Sequence, residues 1–211
     1  MTFEGGEGSG KSTQIEQLAD FLRGEGHEVV TAREPGTTPV GEAVREVLLQ
    51  TAPEDLVAES ELALFLAARA QLAAQIVRPA LEAGKVVLLD RFGDSSVAYQ
   101  GYGRGLDPAR VAELNALFTR GLEPDVTVLI DVPVEASAAR SRARAPDRIE
   151  RAGTEFHRRV RDGYRELALN EPERFVVLDG TGSIATVQSA IRDVIRDALA
   201  ERILTPRTES S

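Results

Sequence analysis

The chain has no cysteine, which excludes disulfides, thiolate metal sites and cysteine nucleophiles and fits a cytoplasmic protein. No apolar run approaches the roughly 18 residues of a membrane span. Met1-Thr2-Phe3-Glu4-Gly5 lacks the basic and apolar regions of a signal peptide, so neither export nor a membrane partner is expected. Positive charge is scarce: 25 basic residues against 34 acidic ones leave a net charge of -9, which argues against a surface-wide footprint for nucleic acid. Any anion site must be local. Lysine occurs only at Lys11 and Lys85, so a lysine inside a motif is informative. Internal repeats and low-complexity linkers are also absent. With 42% apolar residues over 211 positions, the chain reads as one domain across 1–204 with a frayed, polar, disordered tail at 205–211.

Short runs rich in Val, Ile and Leu alternate with stretches of helical spacing. The runs at 2–3, 28–31, 85–90, 125–131 and 174–178 are too continuously apolar for one-sided strands. They predict an α/β fold with five buried parallel strands and helices on both faces. Helical spacing occurs at Ile15, Leu18, Ala19 and Leu22, and at Val40, Val44, Val47 and Leu48 behind Pro39. It recurs from Leu62 to Leu81, at Val111, Leu114 and Phe118 behind Asp107-Pro108, and at Ile184, Val187, Ile191, Val194 and Ile195 behind Ser183. Asp107 and Ser60 read as N-caps.

Gly5-Gly6-Glu7-Gly8-Ser9-Gly10-Lys11-Ser12 matches G-x-x-x-x-G-K-[ST], with a strand-like start before it and an amphipathic helix after it. In that setting backbone N–H groups and a helix N-terminus converge on phosphate oxygens, and glycine supplies the room. Gly5 to Thr13 are therefore the ATP-binding candidates. Lys11 would neutralise the β and γ phosphates, and Ser12 would ligate Mg²⁺. Asp90-Arg91 closes the third strand, at the end of the sheet where ligands gather. There a carboxylate can organise a Mg²⁺ water or an acceptor oxygen, and its neighbour can grip a second phosphate. Arg140, Arg142, Arg144, Arg148 and Arg151 crowd around Ala145-Pro146, a segment too irregular for one packed helix, and mark a short lid at about 140–152. Taken singly, Asp90 could be a strand-end cap and the arginines a solvated face. Together these elements describe phosphoryl transfer between two phosphorylated ligands.

The sequence resembles the bacterial thymidylate kinases (dTMP kinases), from Phe3 to about Asp179. The resemblance rests on the glycine-rich loop, Arg33-Glu34-Pro35-Gly36, Phe65-Leu66-Ala67-Ala68-Arg69, Asp90-Arg91-Phe92 with Ser95-Ser96-Val97-Ala98-Tyr99-Gln100-Gly101, and Asp147-Arg148-Ile149-Glu150. It implies the P-loop nucleoside monophosphate kinase fold and transfer of the γ-phosphoryl group of ATP to dTMP, feeding dTTP synthesis. Phe65 would stack on thymine, and Arg69, one turn on, would reach a base carbonyl. Ser96 and Gln100 would complete base recognition, and Tyr99 would lie against the sugar where a 2′-hydroxyl would clash. Glu7 would hold the 3′-hydroxyl, Arg45 and Arg91 the monophosphate, and Glu34 would belong to the Mg²⁺ and water shell. Asp90 would be the catalytic carboxylate and a Mg²⁺ ligand beside Ser12. Gly8 follows Glu7 where some members carry an arginine, so the chain resembles the type whose catalytic arginines lie in the lid, here Arg142 and Arg144. The family is usually a homodimer packed through its helices.

From the residues alone Phe65 reads as core, and the Ser96-Tyr99-Gln100 run as a polar loop. A deoxynucleoside kinase shares the P-loop and lid but needs no second phosphate clamp, which Arg45 and Arg91 would supply. A non-catalytic P-loop switch needs no base pocket. Three departures from the family stand out. The first strand is short for a central one, which suggests further strand codons upstream of Met1. Thr37 stands where a second glycine is common, so a positive φ there would be strained. Phe92 replaces a more frequent tyrosine.

Overall fold

Five short strands, β1 (Thr2–Glu4), β2 (Val29–Arg33), β3 (Val86–Asp90), β4 (Thr127–Asp131) and β5 (Phe175–Asp179), form one parallel sheet in the order β2-β3-β1-β4-β5. The computed structural model describes residues 1–52, 55–140 and 147–204. Between and after the strands lie α1 (Lys11–Gly24), α2 (Pro39–Gln50), α3 (Ala58–Leu72), α4 (Arg78–Glu82), α5 (Gly93–Ser96), α6 (Pro108–Thr119), α7 (Val134–Arg140), α8 (Thr154–Asn170) and α9 (Ile184–Leu204). A π-helical segment, Ala73–Val77, joins α3 to α4, and a second, Val97–Gly103, extends α5.

The strands lie where the apolar runs predict them, and the central one is indeed only three residues long. Met1 continues its ladder, donating its ammonium to the Val87 carbonyl at 3.0 Å and accepting from the Leu89 N–H. The expectation of five buried strands holds for β1, β3 and β4 but is corrected at the edges. There β2 exposes Thr31 and Arg33, and β5 exposes Val177 and Asp179, because the helices pack over the middle of the sheet. One sheet face sets Phe3, Leu88, Val128 and Ile130 against α1 and α9, with Leu18, Leu22 and Ile191 fully enclosed. The opposite face sets Val87 and Leu89 against Leu72, Val77 and Ala80 of the α3–α4 segment, and Leu129 and Phe175 against α8. Burying both faces is what makes a parallel sheet stable.

Thr38 caps α2 through its hydroxyl, which accepts from the Gly41 N–H at 3.0 Å. Asp107 caps α6 by accepting from the Ala109 N–H at 3.0 Å, and Ser183 caps α9 by accepting from the Thr186 N–H at 3.1 Å. Ser60 does not cap. Helix α3 starts two residues earlier, with Val57 at the cap position and Glu59 and Glu61 in the first turn, where acidic side chains suit the helix dipole. The run Ala58–Glu82 is long and apolar enough by length and composition to cross a bilayer. Half of that window is buried inside the protein, however, and it carries Glu61 and Arg69 into the interior. Helix α8 was not foreseen from periodicity, because arginines crowd its outer face. Its inner face, Phe156, Val160, Tyr164 and Ala168 at four-residue spacing, packs on Ala98, Tyr99 and Leu129.

Candidate active site

Between Glu4 and Lys11 the chain turns tightly at the carboxyl end of the sheet. Gly5 has φ 132, and a Cβ there would stand 2.5 Å from the Ile130 carbonyl oxygen, so no larger residue lets the loop pass β4. The Lys11 ammonium folds back on the loop, donating to the carbonyls of Gly5 at 3.1 Å and Gly6 at 2.9 Å and to Ser9 Oγ at 3.3 Å. Burial, reinforced by the Arg91 charge, pushes its pKa down to about 8. It is therefore a cation at neutral pH, held by carbonyls that a phosphate can replace. Ser12 Oγ donates to Asp90 Oδ2 at 2.8 Å, which joins two candidate metal oxygens 78 residues apart in the chain.

Register explains how Arg91 arrives beside the loop. Phe3 pairs with Asp90, and the Arg91 N–H donates to the Phe3 carbonyl at 3.0 Å. Arg91 sits at φ 72, an uncommon conformation for a non-glycine residue and one that clusters at functional sites. Glu4 holds the turn: its carboxylate accepts from the Phe92 N–H at 2.7 Å, Ser95 Oγ at 2.6 Å and Tyr164 OH at 2.8 Å. Burial, then the Asp94 charge, pushes the Glu4 pKa up to about 7. The Arg91 guanidinium donates to Glu7 Oε1 at 3.0 Å, the Gly5 carbonyl at 3.0 Å and Tyr99 OH at 3.2 Å. Its charge thus lies between the loop acid and the Tyr99 ring. Arg45 reaches the same space from α2 while donating to the Pro35 carbonyl at 2.9 Å, and burial, with Arg33, lowers its pKa. Thr37 does take a positive φ, 67, and its N–H and hydroxyl are tied to Glu42 and Arg33.

One cavity of about 360 Å³ is lined by Gly8, Gly10, Lys11, Ser12 and Thr13 of the loop, by Glu34, Asp90, Arg91 and Arg45, and by Phe65, Ser96, Tyr99 and Gln100. Phe65 is buried yet lies outside the apolar clusters formed by the described residues, and it walls this cavity instead. Gly5 and Gly6 face a second cavity, of about 340 Å³, on the far side of the loop, and Glu7 and Tyr99 border both.

Arg69 and Glu34 are paired with each other. Arg69 is 0% exposed and stands behind the wall, donating to Ser96 Oγ at 2.9 Å and to Asn115 Oδ1, with Glu34 as its ion-pair partner. Glu34 also lines the cavity, and burial raises its pKa against the Arg69 charge. Arg69 Nε and Gln100 Oε1 are buried without hydrogen-bond partners.

In the lid, Arg142 and Arg144 lie outside the described residues. Arg140 ends α7 and donates to the Gly180 carbonyl at 3.0 Å. Arg151 donates to the Asp147 carbonyl at 3.2 Å. Arg148 is no lid cation: it is 1% exposed, donates to the Leu48 carbonyl at 2.8 Å and pairs with Glu61 Oε2 at 2.6 Å. Sequence reading missed Glu4, Glu61, Asn115 and Tyr164. Only the helical spacing of α8 held a hint, for Tyr164.

The sequence profile of the family described as Thymidylate kinase matches residues 3–191. A thymidylate kinase of Geotalea uraniireducens (strain Rf4) is 48% identical over 208 residues, covering 95% of this chain and 98% of that one. A thymidylate kinase of Pseudomonas fluorescens (strain SBW25) is 49% identical over 203 residues, covering 96% of each. Among solved structures, thymidylate kinase from Ehrlichia chaffeensis superposes with a TM-score of 0.75 at 37% identity, covering 92% of this chain and 96% of that one.

Proposed function

This chain belongs to the thymidylate kinase family and transfers the γ-phosphoryl group of ATP to dTMP, giving dTDP and ADP, and from that premise we propose how its residues share the reaction. The observation that carries the proposal is one cavity with the Lys11 loop at one end, Phe65, Ser96 and Gln100 at the other, and Arg45 and Arg91 between. A donor and an acceptor laid in it meet phosphate to phosphate.

At the donor end the backbone N–H groups of residues 8–13 and the Lys11 ammonium hold the ATP phosphates. Ser12 and Asp90 fit Mg²⁺: both offer hard oxygens, and a nucleotide-bound Mg²⁺ takes only one or two protein ligands, with phosphate and water completing its octahedron. Among the described residues there is no cluster of three or more metal-binding side chains, which agrees with a metal held chiefly through the nucleotide. When bound, Mg²⁺ would offset charge on the β and γ phosphates.

At the acceptor end Phe65 stacks on the base, with Ser96 and Gln100 at its edge and Arg69 behind them. Tyr99 lies by the sugar, and Glu7 takes the 3′-hydroxyl. Arg91 and Arg45 grip the monophosphate, Arg91 from a backbone turn that Glu4 fixes. An acceptor oxygen attacks the γ-phosphorus in line as the bridging oxygen leaves. The acceptor phosphate is already ionised near pH 7 (pKa about 6), so Asp90 orients rather than deprotonates. To Arg142 and Arg144, outside the described residues, we assign the charge on the equatorial oxygens, which such cations would stabilise more in the transition state than in bound ATP.

We place the protein in the cytoplasm as a homodimer without nucleic-acid or membrane partners. Exposed Leu117 and Phe118 of α6 offer apolar surface for the second copy, and sedimentation reads the outcome. A coupled ADP-release assay across dTMP, dUMP, thymidine and dCMP tests the acceptor reading. Turnover of dTMP without thymidine is expected. Turnover of thymidine alone would make the chain a deoxynucleoside kinase, and no turnover at all a switch.

A further inference from the structure

We propose that Glu61 is a specificity-determining positioning residue: it locks the Gln100 amide so that the pocket presents an acceptor, and accepts a base that offers N–H there. The proposal rests on the assignment of the Phe65–Gln100 end of the cavity to the base.

Glu61 lies in the first turn of α3 and is 1% exposed. A carboxylate held ionised can only accept hydrogen bonds. Burial pushes the Glu61 pKa up, but hydrogen bonds from Arg104 and Gln100 and the charges of Arg104 and Arg148 outweigh it and hold it below the usual range. Arg104 meets the carboxylate with Nε at 3.2 Å and Nη2 at 3.0 Å, and Arg148 Nη1 stands 2.6 Å from Oε2. Oε1, which also meets Arg104 Nε, takes its shortest hydrogen bond from Gln100, whose Nε2 donates at 2.7 Å.

That bond decides the amide's orientation. Turning Gln100 over would set oxygen against a carboxylate oxygen, so its amino group stays with Glu61. Its Oε1 is then left buried and unpartnered in a residue that walls the cavity. An unmet buried acceptor is costly until a donor arrives. Close by, Arg69 donates to Ser96 Oγ and keeps Nε without a hydrogen-bond partner, a donor in the neighbourhood of that acceptor. Thymine and uracil match that order, with an N3–H flanked by carbonyls. Cytosine reverses it, with a bare N3 beside an amino group. Only a turned Gln100 would suit cytosine, and Glu61 prevents the turn.

The test compares dTMP and dCMP binding by calorimetry and their kcat/KM ratio in the full chain, the Glu61→Gln variant and the Phe65→Ala variant. A glutamine at 61 can donate or accept, so Gln100 is freed. The dTMP:dCMP preference is expected to fall by roughly tenfold or more, with the loss for dTMP in KM rather than kcat. Should Glu61→Gln not fold, because Arg148 is left buried without its counter-charge, the double variant Glu61→Gln/Arg148→Met removes both charges. In the unaltered protein, the Gln100 side-chain amide protons should exchange slowly with solvent both without and with dTMP. An unchanged preference in a folded variant, or fast exchange in the unliganded protein, overturns the role of Glu61. If Phe65→Ala also leaves dTMP binding unchanged, the base assignment itself fails.

Discussion

At the proposed phosphate end of the cavity the binding groups would be backbone N–H groups and one lysine, gathered within nine consecutive residues and shaped by glycines. At the base end they are side chains from α3, α5 and the π-helical segment after it, held in place by buried charges from distant parts of the chain. Arg69 leans on Glu34 and Asn115, and Gln100 leans on Glu61, which is itself held by Arg104 and Arg148. The first arrangement binds any nucleoside triphosphate tail, because phosphate oxygens are alike. The second can discriminate, because each polar group has one orientation and mismatching it leaves a buried group unmet. Substitutions at the phosphate end should therefore lower rate with any acceptor, and those at the base end should alter which acceptor is chosen.

The largest effect belongs to Lys11→Ala. It removes the cation proposed to hold the ATP phosphates, and turnover should fall by roughly 10²–10³-fold or more. The fold should persist, because Lys11 bonds only to its own loop. Near-normal activity in a folded variant would remove the phosphate end from the account. Next comes the Arg142→Ala/Arg144→Ala double variant, expected to lower kcat by roughly 10²-fold or more with little change in dTMP affinity, as read by steady-state kinetics. Wild-type kcat there would make the lid arginines a solvated charge run.

Why one end was legible in the sequence and the other only in part follows from the same contrast. A contiguous loop leaves a pattern, Gly5 to Ser12, that composition cannot imitate, and the short apolar runs gave the five strands because inner parallel strands are buried on both faces. Glu61 and Arg148, or Glu34 and Arg69, are far apart in the chain, and no spacing rule pairs them. The resemblance to the family placed Phe65, Ser96, Tyr99 and Gln100 on one cavity, as the structure does. It did not foretell that Arg69 stands behind the wall or that Arg148 is structural. Helix α8 escaped periodicity because Arg158, Arg159, Arg161 and Arg165 dilute its apolar stripe. Yet its Tyr164 touches both Glu4 and Arg91.

A smaller effect sharpens the phosphate side through pH. The Lys11 pKa is pushed down to about 8 by burial in the free protein, and bound phosphates must raise it. ATP binding then takes up a proton above that pH, so the Lys11 contribution to affinity, read as the difference from Lys11→Ala, should be flat below about pH 8 and fall as pH rises, approaching tenfold per unit. The unliganded fold behaves in the opposite sense. Its lysine loses the proton before the unfolded chain does, so stability should rise between about pH 8 and the ordinary lysine value of 10.5. Both slopes should vanish in Lys11→Ala, as measured by calorimetry and by denaturant titration at each pH.

The division of labour is tested most directly by titrating Phe65→Ala calorimetrically with dTMP and, separately, with ATP. Phe65 walls the acceptor end of the cavity and belongs to no apolar cluster of the described residues. Loss of a stacked aromatic is worth roughly 1–3 kcal/mol. The account predicts dTMP weakened by about 5- to 150-fold and ATP unchanged, in a protein that stays folded. Equal weakening of both ligands, or unfolding, would contradict it and return Phe65 to the core.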